Sequence, residues 1–140
     1  MLRQLLVGAV ASICNIAIHG LVMATVVQTS SWIAQAKAPR LLMLTVETVS
    51  IATVLILMTV HFLEVMTWSL VYAIVGAAPA GADPLYFAFV NYTTLGYGDV
   101  TPVVHWRLLG PITAMNGVLS FGWSTAVIFD VLRRTARRSD

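Results

Sequence analysis

Residues 91–99 read Asn-Tyr-Thr-Thr-Leu-Gly-Tyr-Gly-Asp, and the rest of the chain is organised around this stretch. Gly96 and Gly98 flank a tyrosine and can adopt backbone conformations that are closed to residues with a Cβ atom. Successive carbonyl groups of such a loop can therefore point to the same side of the backbone. Long apolar segments lie on both sides of the stretch, so it is predicted to lie within a membrane protein.

The stretch resembles the selectivity filter of potassium channels, Thr-Val-Gly-Tyr-Gly-Asp, with Leu95 where valine is commoner. In such filters four loops line a pore with main-chain oxygens that replace the water around a dehydrated cation. The resemblance implies a homotetramer, because one loop cannot close a ring, and potassium as the permeant ion with no other cofactor. It implies potassium ligands at Thr94, Leu95, Gly96, Tyr97 and Gly98, and places Asp99 at the outer mouth.

Composition supports a membrane protein. Of the 140 residues, 59% are hydrophobic and 10% are charged, against about a quarter charged in soluble domains. The net charge is +2, and the basic residues cluster at the ends of the apolar segments. This distribution disfavours nucleic acid as a partner and suits contact with lipid. The sequence shows no nucleophile and base pair, metal-ligand cluster or phosphate loop, so an enzyme is not predicted. The single Cys14 is interpreted as a packing residue.

We predict an all-α membrane protein with three transmembrane helices and a re-entrant pore helix. Residues 1–40 hold the first helix, whose apolar run is 5–27, and a cytoplasmic connector; a cleaved signal peptide is the disfavoured alternative. Residues 41–140 resemble the pore module of two-helix bacterial potassium channels and of two-pore channels. Its expected parts are an outer helix 41–78, a pore helix 84–93, the filter 94–99, an inner helix 108–132 and a basic tail 133–140.

The pore helix is expected to begin with Asp83 as N-cap and Pro84 at its first position. Tyr86, Phe87 and Tyr92 resemble the aromatic residues that brace such filters. Many channels of the family carry a glutamate four residues before the filter threonine. Val90 stands there in this chain, so that carboxylate link to Asp99 is absent.

Polar side chains on the long helices have two interpretations each. Thr113, Asn116 and Ser120 either line a water-filled cavity, which is favoured, or bond to a polar stripe on the outer helix. That stripe comprises Glu47, Ser50, His61, Glu64, Trp68 and Tyr72. His61 and Glu64 are either a proton sensor or, as favoured, a structural pair. Gly117 is either a hinge or a point of close packing, with Gly122 as a weaker hinge candidate.

Lys and Arg positions predict the orientation. With the filter outside, the cytoplasm receives six basic residues and the exterior receives Arg3 and Arg107, in agreement with the positive-inside rule. The six are Lys37, Arg40, Arg133, Arg134, Arg137 and Arg138. Asp130 is expected to pair with Arg134, rather than to ring the inner mouth. The favoured function is passive potassium conduction across a bacterial plasma membrane. A weakly selective cation channel and a non-conducting accessory subunit are the alternatives.

Overall fold

A computed structural model describes the backbone of residues 1–35 and 42–136 and the side chains of residues 1–32 and 48–134. Within these ranges the chain forms four α-helices and no strand. The helices are α1 (Leu2–Gln35), α2 (Leu42–Val75), α3 (Pro84–Tyr92) and α4 (Leu109–Ala136), and a short 3-10 turn covers Val104–Trp106. The fold is therefore helical, as the sequence predicts.

Three of these segments are long and apolar enough to cross a membrane. They are Leu2–Trp32, Thr48–Val75 and Val104–Arg134, with mean hydropathy of 2.1, 2.0 and 1.3. Large apolar side chains such as Leu21, Ile74 and Phe129 lie on the outside of the chain, where acyl chains or further subunits can cover them. The chain is therefore a multi-pass membrane protein.

Helix α1 extends further than the sequence indicates. A polar connector was predicted from residue 28, but the helix continues to Gln35. The hydroxyls that interrupt the apolar pattern bond to a carbonyl of their own helix: both Ser30 Oγ and Ser31 Oγ donate to Val27 O, at 2.9 and 2.8 Å. Such hydroxyls are tolerated inside a helix because their hydrogen bonds are satisfied locally. The rest of the predicted connector, including Lys37 and Arg40, lies outside the described residues.

The other two long helices also differ from prediction at their ends. Helix α2 ends at Val75 because Gly76 adopts φ +66°, and the Ala77 amide donates to Tyr72 O at 3.0 Å, a glycine-terminated helix end. Helix α4 continues past the predicted residue 132 to Ala136. Residues 137–140 of the predicted tail lie outside the described residues.

Helix α1 packs into the bundle, against both α4 and α2. At its start, Gln4 Oε1 accepts a hydrogen bond from the Leu108 amide at 2.9 Å, and the Arg3 guanidinium lies 5.4 Å from the centre of the Trp106 ring. Side-chain oxygens that accept from an amide at a helix start satisfy donors that the helix leaves free. The first residues of α1 therefore fix the position at which α4 begins.

Candidate functional site

Helix α3 has a well-defined start and an abrupt end. Asp83 caps it, since its carboxylate accepts from the Leu85 amide at 2.8 Å, and Pro84 is its first residue. Both features were predicted and are confirmed. The helix has only nine residues, about 14 Å, and it leads directly into the glycine-containing loop.

The loop that follows has alternating backbone conformations. Thr94, Gly96 and Gly98 have φ of +59°, +60° and +79°, whereas Leu95 and Tyr97 between them do not have positive φ. Left-handed conformations at alternate residues allow successive carbonyls to face the same way. Residues 93–99 are exposed in the single chain, Leu95 by 53% and Tyr97 by 69%. The loop therefore lies exposed at the surface of one subunit.

A tyrosine of α3 is hydrogen bonded to the Asp99 carboxylate. The Tyr86 hydroxyl donates to Asp99 Oδ2 at 2.6 Å, and Asp99 Oδ1 accepts from the Val100 amide at 3.0 Å. The hydrogen bond to the Asp99 carboxylate raises the pKa of the Tyr86 phenol, so the phenol stays protonated and remains a donor at neutral and mildly alkaline pH. With valine at position 90, this phenol supplies a link between the short helix and Asp99.

We expect Tyr86→Phe to shorten the time for which the loop stays in one conformation. The phenylalanine keeps the ring and removes the only described donor from α3 to Asp99. If the chain conducts ions, flux through it should decay a few-fold faster after activation, because hydrogen bonds at exposed groups stabilise modestly. Single-channel recordings would measure this. In an Asp99→Ala background the same substitution should have no further effect, and an additive effect there would contradict the link.

Thr113, Asn116 and Ser120, which were predicted to line a water-filled cavity, are buried inside the chain. Thr113 Oγ1 is 2.6 Å from Tyr72 Oη, and Asn116 Oδ1 accepts from Trp68 Nε1 at 3.0 Å and from Asn15 Nδ2 at 3.2 Å. Thr113 is fully buried, and Asn116 and Ser120 are each exposed by 2%. Oligomerisation can only bury them further, so the prediction that they line a water-filled cavity is wrong. The polar stripe of α2 provides partners for Thr113 and Asn116, which was the alternative interpretation.

Gly117 lies where α4 meets the end of α3. A Cβ atom at this position would lie 2.0 Å from the Tyr92 carbonyl oxygen. Close packing is therefore required here, whereas the predicted hinge role stays a prediction. At Gly122 an added Cβ would meet nothing within 4 Å.

A buried polar cluster lies behind the end of α3. It joins His19 of α1, His61 and Glu64 of α2, Tyr92 of α3 and Ser124 of α4. His19 Nδ1 is 2.9 Å from Glu64 Oε1, and the Tyr92 hydroxyl donates to Glu64 Oε2. His61 Nδ1 lies 3.0 Å from Tyr92 Oη and 3.4 Å from Glu64 Oε2. Ser124 Oγ lies between the two imidazoles, 2.9 Å from His61 Nε2 and 3.4 Å from His19 Nε2.

The cluster contains the predicted pair of His61 and Glu64 and adds three members. His19 lies within the apolar run of the first helix, and its partner Glu64 is 45 positions away. His19, His61 and Glu64 are of metal-ligating types, with one ligand atom each within 4.8 Å of the others. All three residues are already hydrogen bonded to their neighbours, so the arrangement is that of a hydrogen-bonded network.

The predicted pair at the opposite end of α4 is present. Arg134 Nε donates to Asp130 Oδ2 at 2.6 Å, and Arg134 Nη1 donates to Ser31 Oγ at 3.1 Å. The salt-bridge interpretation of Asp130 is confirmed, and the same arginine joins α4 to α1.

Comparison with known proteins identifies the family. No curated protein and no solved structure matches the chain. A family model described as an ion channel, which covers the two-helix pore module of potassium channels, matches residues 44–134. That range is well over half of the 140 residues and includes most of α2, all of α3, the glycine-containing loop and most of α4. The chain therefore belongs to this ion-channel family.

Proposed function

We propose that four copies of this chain form a potassium-selective channel in the plasma membrane. The observation that carries the proposal is the exposed loop at residues 93–99, with left-handed backbone at alternate positions directly after a short capped helix. Within an ion-channel family, such a loop suits a filter in which oxygens replace the hydration shell of the ion. Conduction is passive, down the potassium gradient.

Each part of the loop has a role in this proposal. The carbonyls of Thr94, Leu95, Gly96, Tyr97 and Gly98 coordinate potassium, and the Thr94 hydroxyl adds the innermost ligands. Asp99 lies at the outer mouth, where its charge raises the local cation concentration. Helix α3 is re-entrant and directs the negative end of its dipole toward the ion path.

The oligomer follows from the geometry of one loop. A single chain offers oxygens from one side only, and a cage around an ion needs several loops. Leu95 and Tyr97 are exposed by 53% and 69% in one subunit, and neighbouring subunits would cover them. A closed ring with cyclic symmetry gives each copy the same environment.

Ion flux in proteoliposomes tests the proposal. Purified protein should pass potassium and be blocked by barium, and under bi-ionic conditions the reversal potential should favour potassium over sodium strongly. Cross-linking in mild detergent should give a tetramer. Equal permeability to both ions would favour the weakly selective alternative, in which Leu95 loosens the filter. A monomer or dimer without flux would contradict the channel and favour the accessory subunit.

A further inference from the structure

The buried cluster behind the end of α3 closes into a ring of side chains. Consecutive members of the ring are within hydrogen-bonding distance of each other, in the order Glu64, His19, Ser124, His61 and Tyr92. Tyr92 also bonds to Glu64 and so closes the ring. Every described helix contributes at least one member. Glu64 and His19 are each exposed by 1%, and Tyr92 is fully buried. Because Tyr92 is the last residue of α3, the ring holds the point at which the filter loop begins.

When Glu64 is ionised and both imidazoles are neutral, the ring has five links but only four hydrogens to fill them. Each neutral imidazole has one N–H, the serine and tyrosine hydroxyls have one hydrogen each, and a carboxylate has none. Four hydrogens must then serve five links. With both imidazoles protonated at Nδ1, the link without a hydrogen is His19 Nε2 to Ser124 Oγ, which at 3.4 Å is the longest of those with a stated length.

One further proton completes the ring. It can reside on Glu64, which then donates to His19 Nδ1, while His19 Nε2–H donates to Ser124 and Ser124 donates to His61. His61 Nδ1–H donates to Tyr92, and Tyr92 donates back to the other oxygen of Glu64. The proton can equally reside on His19 as an imidazolium beside the carboxylate. Either form has five satisfied links and no net charge, which is favourable in a membrane interior.

We propose that this ring is a one-proton lock that couples α1 to the potassium filter. With the proton bound, the ring is closed and holds the end of α3, and the filter conducts. When the proton is lost, the Glu64 charge is uncompensated, the link between His19 and Ser124 opens, and conduction falls. The lock rests on the proposed channel function, and it makes His19, from the helix outside the family match, a positioning residue for the filter.

The groups that face the ring are few. Among the residues that the structure describes, the titratable ones are its own members, namely His19 from α1, His61 and Glu64 from α2, and Tyr92 from α3. Helix α4 contributes the non-titrating Ser124 together with the aromatic rings of Phe121, 4.6 Å from His61, and Trp123, 5.5 Å from His19. A pH response that originates here is therefore expected to depend on the ring residues alone.

Two substitutions at position 64 separate the lock from a merely structural pair. Glu64→Gln brings a permanent N–H, so the ring has five hydrogens for five links and closes at every pH. Glu64→Ala removes both acceptors, so the ring is open at every pH. Both variants lose the pH response, but Glu64→Gln should resemble the wild type at low pH and Glu64→Ala should resemble it at high pH.

Thermal unfolding in detergent and potassium flux in vesicles, each from about pH 6.5 to pH 9, provide the two readouts. Above about pH 6.5 the two histidines of the unfolded chain together bind less than the one proton that the ring holds, so wild-type stability and flux should fall as pH rises, with at most about a tenfold change in the unfolding constant per pH unit for one proton. Glu64→Gln should keep the low-pH values throughout. If Glu64→Gln does not fold, Ser124→Ala should abolish the response, while Thr125→Ala, whose hydroxyl donates to Phe121 O of its own helix, should retain it.

The outcomes distinguish this inference from the channel proposal. A stability profile that is the same in wild type and Glu64→Gln would overturn the lock even if the protein conducts potassium. A wild-type flux that rises with pH would overturn the assignment of the closed ring to the conducting state. If the stability profiles behave as expected and no flux is found, the proton-binding ring is supported, and the coupling to conduction fails together with the channel proposal.

Discussion

Gly117→Ala is expected to abolish most potassium flux. The new methyl group would lie 2.0 Å from the Tyr92 carbonyl oxygen, which is backbone and cannot rotate away as a flexible side chain can. Helix α4 and the end of α3 must therefore separate, at a cost of about 1–3 kcal/mol, as is typical of overpacked interiors. Because Thr94 is two residues beyond Tyr92, the displacement is expected to reach the proposed filter. A tenfold decrease in flux requires a free-energy difference of only about 1.4 kcal/mol between the intact and the displaced conformation of the proposed filter.

Gly122→Ala is the matched control for this prediction. It makes the same change in the same helix, but its methyl group would meet nothing within 4 Å in the single chain. Alanine is favoured over glycine inside a helix by up to about 1 kcal/mol, so this variant should be as stable as the wild type or more so. If Gly117→Ala and Gly122→Ala conduct equally well, the close contact between α4 and Tyr92 is not required for function.

Gly96→Ala is expected to lower the permeability ratio of potassium to sodium by about tenfold. Position 96 has φ +60°, where a side chain costs roughly 1–2 kcal/mol, and relief of that strain rotates the adjoining carbonyls away from the pore axis. Those carbonyls are the proposed ligands, so selectivity should decrease before stability does. Reversal potentials under bi-ionic conditions measure the ratio directly.

A second glycine provides the control for strain alone. Gly76 follows α2 with φ +66°, and an added Cβ would meet nothing within 4 Å. Gly76→Ala therefore introduces a similar backbone strain outside the proposed filter and should leave the permeability ratio unchanged. An unaltered ratio in Gly96→Ala would contradict the assignment of residues 94–98 as potassium ligands.

The features that the sequence predicted well have local causes. The start of α3 follows from Asp83 and Pro84, which act within one turn, and the glycines at 96 and 98 have the positive φ that their residue type favours. Helical periodicity also placed Trp68 and Tyr72 on one polar stripe of α2, and both are fully buried; the side chain of Glu47, from the same stripe, lies outside the described residues. These signals depend on neighbours in sequence or on helical periodicity.

The features that were missed depend on which helix meets which. Periodicity shows that Thr113, Asn116 and Ser120 share a face, but water and the α2 stripe would satisfy such residues equally well. The structure turns this face toward the chain interior, where Tyr72 and Trp68 provide hydrogen bonds. Likewise nothing local to His19 indicates that it meets Glu64, because that contact exists only once α1 packs against α2.

The inward face of α4 has a consequence for water in the proposed pore. Its polar residues are buried inside the subunit, and the residues that the helix turns outward are mostly apolar, among them Met115, Val118 and Leu119. If such a face lines the route below the filter, the route wets poorly, and a small narrowing can empty it of liquid. Hydrophobic constrictions close channels in this way without any physical plug.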